Sequence, residues 1–313
     1  MIQDKDKILK TQQSVNDYLE YIKNCRMIYS KLLELQIAQQ LCVTMIEFIN
    51  LSLKSEIILT TKMFERYLLE SLITIKILNR EKYHIYRMNY AIIKNKNSNL
   101  CTTITLLKKE IEKLRKYSNI ENKELLEIQN KYFESEISTN ILAEEIQNIE
   151  NKYDKQFRSK IPKYCYGFEH NGYSFQAHLL ETQVLPKYTA DFNESKKELD
   201  EIETKYYKNN EIREYFDIKQ KTQVFKKLQD NRSWKQKAEA AGLSDAYENF
   251  YSSSSELIHH TTMSLLSKLG FQEHEKTDSL NTMDMIISNI LDELKVLVSK
   301  IIPDSNIFFI ERD

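Results

Sequence analysis

Hydrophobic residues recur at the spacing of an α-helix in the first eighty residues. One stripe consists of Leu33, Ile37, Leu41, Met45, Phe48 and Leu51. A second stripe consists of Phe64, Leu68, Leu72, Ile75 and Leu78. Intervals of three and four residues place side chains on one face of a helix, so each stripe predicts an amphipathic helix that buries that face. A further amphipathic helix is predicted over 277–301.

A charged pair lies beside the second stripe. Arg66 and Glu70 are four residues apart, and the line that they begin continues through Ile73 and Ile77. A charged pair that leads into apolar positions is expected to be at least partly buried, where each charge needs a partner.

The middle of the chain has a different pattern. Residues 102–160 are polar and rich in charge, and their narrow apolar seam has the spacing of a coiled coil, with Leu142, Ile146, Ile149 and Tyr153. This pattern predicts a protruding helical hairpin over 101–160, after a turn or loop at 94–99. Residues 161–189 contain two of the three prolines, two of the four glycines and many aromatic residues. They are predicted to form an irregular insertion, which is either functional or mobile.

Composition supports an all-α fold. Four glycines and three prolines in 313 residues are few, and turns and hairpins consume those residues. The predicted architecture is therefore a helical bundle core formed by 1–100 and 190–313, which carries the hairpin and the aromatic insertion.

Charge and cysteine usage exclude several classes. The net charge of −1 gives no overall attraction to nucleic acid or anionic membranes. No run of apolar residues is long enough to span a bilayer, and the first ten residues lack the apolar region of a signal peptide. The four cysteines have no CxxC spacing. We expect a cytoplasmic protein with reduced cysteines, no membrane association, no cofactor and no metal.

Candidate chemistry is concentrated near the C-terminal end. Tyr251, Ser255, His259 and Thr262 lie near one line of a predicted helix, at intervals of four, four and three. A histidine at the edge of a buried stripe, with hydroxyl groups one turn away, is suited to acid–base work at neutral pH. The alternative is a hydrogen-bonded histidine with a structural role.

Two segments resemble one bacterial all-helical family of unknown function. The first segment runs from Trp234 through Ala240-Ala241-Gly242-Leu243 to Tyr251, Ser255 and His259. The second segment is Phe64-Glu65-Arg66-Tyr67-Leu68-Leu69-Glu70, with an arginine and a glutamate four residues apart. The resemblance covers about 40–96 and 225–270.

That family is similar in style to HEPN proteins, which are small helical bundles of toxin and antiphage systems. Many of these are metal-independent ribonucleases with an arginine four to six residues before a histidine, often in a site shared by two protomers. The resemblance implies that His259 is the base or acid. Because Ser252 to Glu256 include no basic residue, Arg66 would bind the phosphate, held by Glu70. Tyr251 or Ser255 would position the RNA.

Two other functions remain open from the sequence. The protein is alternatively a non-catalytic binding or sensor module that engages a protein partner, or a second copy of itself, through the 102–190 insertion. A third reading is a di-iron bundle, because Glu81–His84 and Glu256–His259 both have Glu-x-x-His spacing and Glu70 adds a carboxylate.

Overall fold

The computed structural model describes residues 2–30, 32–55, 58–135, 139–159, 172–249 and 273–302. This part of the chain is all-α and contains no strand. Its helices include α1 (Ile2–Ile28), α2 (Leu33–Lys54), α3 (Ile58–Arg80), α4 (His84–Ser135), α5 (Thr139–Ser159), α6 (Tyr173–Leu179), α7 (Leu185–Lys208), α8 (Asn210–Tyr215), α9 (Val224–Leu228), α10 (Trp234–Ala241) and α11 (Glu273–Ile301). No helix within these ranges is both long and apolar enough to cross a lipid bilayer.

The chain forms two compact units. The first unit consists of Met1–Asn89 and Leu228–Asp313, and the second unit consists of Tyr90–Lys227. The sequence analysis placed the borders of the core at 100 and 190 instead. Residues 190–227 therefore belong to the second unit and not to the bundle that begins the chain.

The first unit is a bundle built around α1, α2, α3 and α11. α1 and α2 run antiparallel, since Gln12 bonds Asn50 and Arg26 bonds Gln39. α3 and α11 run parallel, since Asn79 of α3 bonds Glu293 of α11 and residue 65 lies beside residue 279. The helices enclose one apolar core, whose fully buried side chains include Ile22, Leu35, Met45, Ile73 and Ile290.

The predicted stripe of α3 is confirmed. Leu68, Leu72, Ile75 and Leu78 are buried, and Phe64 packs against the core. The stripe of α2 is only partly correct, because Leu51 is exposed. The buried face of α2 instead follows Leu35, Ala38, Cys42, Met45, Ile49 and Ser52. Its intervals of three and four alternate, and this alternation keeps the face toward the core along the whole helix.

The predicted turn at 94–99 is wrong. α4 continues through this segment for 52 residues. The segment contains no glycine or proline, so no residue breaks the helix, and its polar side chains are exposed or half-buried. Apolar residues on either side, Ile93 and Leu107, are buried and fix the helix at both ends of the polar stretch.

The second unit contains the helical pair that the charged segment predicted, with a small core of its own. Lys152 and Tyr153 of α5 both bond Glu124 of α4, so the two helices run side by side away from the connection between them. Further from that connection, α6 completes the apolar core, which contains Leu107, Ile111, Leu114, Ile149, Tyr153, Tyr173, Ala177 and Leu180.

The prediction of an irregular insertion at 161–189 is wrong over its second half. From Tyr173 onward the chain is helical, through α6, a π-helical turn at Leu180–Val184, and α7. Pro186 does not break this run because it occupies the first turn of α7, where a backbone N–H is not required. Residues 161–171 of the predicted insertion lie outside the described ranges.

Candidate active site

Arg66 and Glu70 form an ion pair on α3. The Nε of Arg66 donates a hydrogen bond to Oε1 of Glu70 at 3.1 Å. The two side chains are 21% and 24% exposed, so the charges are partly removed from water while solvent still reaches them. The prediction of partial burial is confirmed. One turn and two turns further along the helix, Ile73 and Ile77 are buried in the core.

The bond to Glu70 restricts the guanidinium of Arg66. The guanidinium is a rigid planar group, so a bond at Nε limits the orientation of the whole plane. A guanidinium oriented in this way is suited to bind a phosphate through parallel hydrogen bonds. Three of the predicted site residues, His259, Tyr251 and Ser255, lie outside the described residues, so the structure gives no distance from them to Arg66.

A buried carboxyl lies next to Arg66 in the chain. Glu65 accepts a hydrogen bond from Nζ of Lys62 at 2.7 Å. Burial raises the pKa of the Glu65 carboxyl, although Lys62 and the nearby hydroxyl of Ser279 act to lower it. The hydroxyl of Thr61 is also buried here, without a hydrogen-bond partner. Such unpaired groups lower stability, so this part of the α3–α11 contact is not a plain apolar core.

Glu65→Gln is expected to remove a pH-dependent contribution to stability. Because the pKa of Glu65 is raised in the folded protein, the native state binds a proton that the unfolded state releases. The contribution is complete below the ordinary pKa of 4.5 and is lost as the pH rises through the raised value. In urea unfolding, the stability of the wild type minus that of the variant should therefore increase as the pH falls from about 7 to about 5.

The control for this loss of charge is Glu47→Gln, because Glu47 is exposed on α2. If the free energy of unfolding depends on pH in the same way for the wild type, Glu65→Gln and Glu47→Gln, folding does not change the pKa of Glu65. That result would contradict this explanation.

A second charged cluster, which the sequence analysis missed, is centred on Arg232. Its guanidinium donates to both oxygens of Glu81, at 2.5 and 3.2 Å, and to both oxygens of Asp230, at 2.9 and 3.0 Å. Asp230 is largely buried, and Nζ of Lys237 lies 3.9 Å from it. The cluster joins the end of α3 to the segment before α10. Arg232 and Glu81, which form part of it, are 151 residues apart in the chain. That separation explains why no local pattern indicated it.

His84 is buried at the edge of the Arg232 cluster. Its Nδ1 lies 3.4 Å from Oε2 of Glu81. Burial lowers the pKa of His84 and outweighs the opposite effect of Glu81 and Asp230, while the positive charges of Arg232 and Arg87 lower it further. The neutral imidazole is therefore favoured.

These contacts bear on the di-iron reading. Both oxygens of Glu81 accept hydrogen bonds from Arg232. Among the described residues, no three histidine, cysteine, aspartate or glutamate side chains come together as metal ligands. The second Glu-x-x-His segment, Glu256–His259, lies outside them. In the described half of this hypothetical site, Glu81 therefore forms ion pairs with Arg232.

The small residues after Trp234 have a structural explanation. α10 begins with a capping box, in which Ser233 and Gln236 bond each other's backbone N–H. It ends at Gly242, which adopts a left-handed conformation with φ of 70°. The Nη1 of Arg80 caps the end of α10 by donating to the carbonyl of Ala240 at 2.7 Å. A new helix begins at 244, two residues after Gly242.

Gly242→Ala is expected to lower the free energy of unfolding by about 1–2 kcal/mol, the cost of a left-handed conformation for a residue with a Cβ. In addition, that Cβ would lie 3.2 Å from Nη2 of Arg80, which caps α10. Urea unfolding measures the loss. Gly242→Asn is the matched control, because asparagine tolerates this conformation and should lose less. Equal stability of wild type and Gly242→Ala would contradict this role of Gly242.

Comparison of the chain with models of protein families, with curated proteins and with solved structures finds no match.

Proposed function

We propose that this protein is the effector of a bacterial toxin or antiphage system and that it cleaves RNA without a metal ion, by the chemistry of HEPN ribonucleases. The observation that supports the proposal is the Arg66–Glu70 pair, in which a partly exposed guanidinium is oriented by a carboxylate. The resemblance of the two segments to a HEPN-like family supplies the reaction class, and His259 supplies the acid–base group.

Cleavage of RNA by its own 2′-hydroxyl requires three contributions. A base removes the proton of the 2′-hydroxyl, and the 2′-oxygen attacks the neighbouring phosphorus. The bond from phosphorus to the 5′-oxygen breaks as an acid gives that oxygen a proton. A cation stabilises the extra negative charge on the phosphate oxygens in the transition state.

The proposed site assigns residues to two of these contributions, one of the two proton transfers and the cation. His259 serves as the base or the acid, since its imidazole gains and loses a proton near neutral pH. Arg66 binds the phosphate, and Glu70 holds Arg66 in position. Tyr251 or Ser255 positions the strand. An arginine on α3 would thereby replace the arginine that HEPN proteins carry shortly before the histidine.

Expression of the protein in a bacterial host tests this proposal. The wild type is expected to arrest growth and to fragment cellular RNA, as shown by growth curves and electrophoresis of total RNA. His259→Ala should relieve the arrest, because a general acid or base contributes roughly 10²- to 10⁴-fold to the rate. Circular dichroism of the purified variant verifies that it folds.

The neighbouring histidine provides a matched control. The sequence predicts a helix over these residues, and consecutive residues of a helix point about 100° apart, so His260→Ala should remove an equal side chain from a different direction and remain toxic. Unchanged RNA in cells that express the wild type contradicts the proposal. Full toxicity of His259→Ala also contradicts it.

A second candidate function is a partner-binding module, which a different observation favours. Near the connection between α4 and α5, large apolar side chains are exposed: Leu126, Ile141 and Phe133, the last of which is 81% exposed. Leu126 and Phe133 are seven residues apart and lie on one face of α4, and exposed apolar faces are typical of surfaces that bind another protein. The partner would be a second protein or a second copy of the chain.

This alternative predicts the opposite pattern of mutational effects. Deletion of 102–190, or replacement of Leu126, Phe133 and Ile141 by serine, should abolish the biological effect, whereas His259→Ala should change little. Analytical ultracentrifugation of wild type and triple variant then distinguishes self-association from binding of another protein. If the triple variant keeps the full effect, the hairpin is not the binding surface.

A further inference from the structure

Tyr67 stands beside the Arg66–Glu70 pair on α3 with 46% of its surface exposed. Its ring meets the ring of Phe48 edge to face, at a centroid distance of 5.3 Å and an angle of 79°. Phe48 in turn stacks on Phe64 at 4.1 Å. Both phenylalanines pack against the core of the bundle. Phe48 thus packs against one side of the Tyr67 ring, while nearly half of the Tyr67 side chain remains exposed to solvent.

Two rows of side chains run next to each other on this face of α3. One row is charged and consists of Lys62, Arg66 and Glu70, at intervals of four residues. The neighbouring row consists of Met63 and Tyr67, also four residues apart, and both side chains are exposed. Intervals of four keep each row on one line of the helix, so a polar line and an apolar line lie side by side.

This arrangement matches the two sides of a single nucleic acid strand. Phosphates follow one side of the strand, and the flat faces of the bases are available on the other when the strand is unpaired. Proteins that bind single strands combine cations for the backbone with aromatic rings on which bases stack. A supported ring loses little side-chain freedom when a base stacks on it, whereas a mobile ring must first be ordered.

We propose that Tyr67 is the stacking platform for a base of single-stranded RNA, next to the phosphate that Arg66 binds, with Met63 extending the apolar surface. This inference rests on the proposed function and adds a substrate class, because a paired strand does not offer the face of its bases. Tyr67 positions the substrate and takes no part in proton transfer.

Binding of a short fluorescent strand with 2′-O-methyl riboses, measured by anisotropy with the full-length protein, tests this inference. Such a strand cannot be cut by attack of a 2′-hydroxyl, so binding is observed without cleavage. Tyr67→Ala should weaken binding by roughly 10- to 100-fold, the usual effect of losing one stacked base. Tyr67→Phe keeps the ring and should bind within about twofold of the wild type.

Two controls separate stacking from a general effect on the fold. Tyr29 is an exposed tyrosine beyond the end of α1, and Tyr29→Ala should bind like the wild type. A strand of the same length without bases should bind wild type and Tyr67→Ala equally weakly, since it offers nothing to stack. A Tyr67→Ala protein that was merely misfolded would lose affinity for both strands.

The outcomes separate this inference from the proposed function. If the wild type does not bind the strand, or if Tyr67→Ala binds it as the wild type does, Tyr67 is not a platform, whatever the cleavage assays show. Equal losses of affinity for the normal and the base-free strand, in a Tyr67→Ala protein whose circular dichroism matches that of the wild type, would also overturn it. Tyr67-dependent binding by a protein that never cuts RNA would instead uphold the platform and refute the ribonuclease.

Discussion

Replacing Ile73 with alanine is expected to lower the free energy of unfolding of the first unit by about 3–4 kcal/mol. Ile73 is fully buried, at 0% exposure, on the line of α3 that carries Arg66 and Glu70. The truncation removes apolar contacts and leaves a cavity among helices that pack on several sides, so the bundle relaxes only in part. Urea unfolding followed by circular dichroism measures the loss.

Ile28→Ala is the matched control, because the same atoms are removed at the end of α1 from a side chain that is 76% exposed. It should change stability by less than about 0.5 kcal/mol. A similar small effect of both substitutions would mean that α3 does not pack into the core as described.

Arg232→Ala is expected to lower the stability of the first unit by about 3 kcal/mol, because it leaves Glu81 and Asp230 without their shared partner. Asp230 is only 13% exposed, so water does not fully replace the lost hydrogen bonds. Arg232→Lys should recover part of the loss, since an ammonium keeps the charge but cannot bind two carboxylates with a planar fork. Thermal or urea unfolding of the three proteins measures these differences.

The exposed ion pair between Lys235 and Glu248 provides the comparison for Arg232. Lys235→Ala should cost less than about 1 kcal/mol, as is usual for ion pairs in water. If Arg232→Ala and Lys235→Ala have equal small effects, the Arg232 cluster does not hold α3 to the segment before α10.

Part of the fold follows from local sequence. The stripe from Phe64 to Leu78 predicted both the existence of α3 and its buried face, because helical periodicity and burial have the same physical cause. The scarcity of glycine and proline predicted the all-α class for a related reason, since few residues are available for turns.

Other parts depend on contacts that no local pattern contains. The polar segment at 94–99 is helical because nothing in it breaks the helix and its neighbours are anchored on both sides. Pro186 indicated irregular backbone, but proline is equally compatible with the first turn of α7. For the same reason the sequence could not distinguish an insertion from a helix over 173–189.

The candidate sites show the same division. Arg66 and Glu70 are four residues apart on one helix, so their ion pair could be predicted from spacing. Arg232 and Glu81 meet only through the tertiary fold, and neither stands in a pattern that points to the other. The contact between Tyr67 and Phe48 could not be predicted from local sequence either, because it depends on the packing of α2 against α3.

We propose that Arg66 and His259 act in one reaction centre, and the decisive experiment is a double-mutant cycle on purified protein. RNA cleavage is measured in the presence of a metal chelator for the wild type, Arg66→Ala, His259→Ala and the double variant. Residues that act as one unit have strongly non-additive effects, so the double variant should lose no more than about the larger single loss. Losses that multiply, or cleavage that survives both substitutions, would contradict a shared centre.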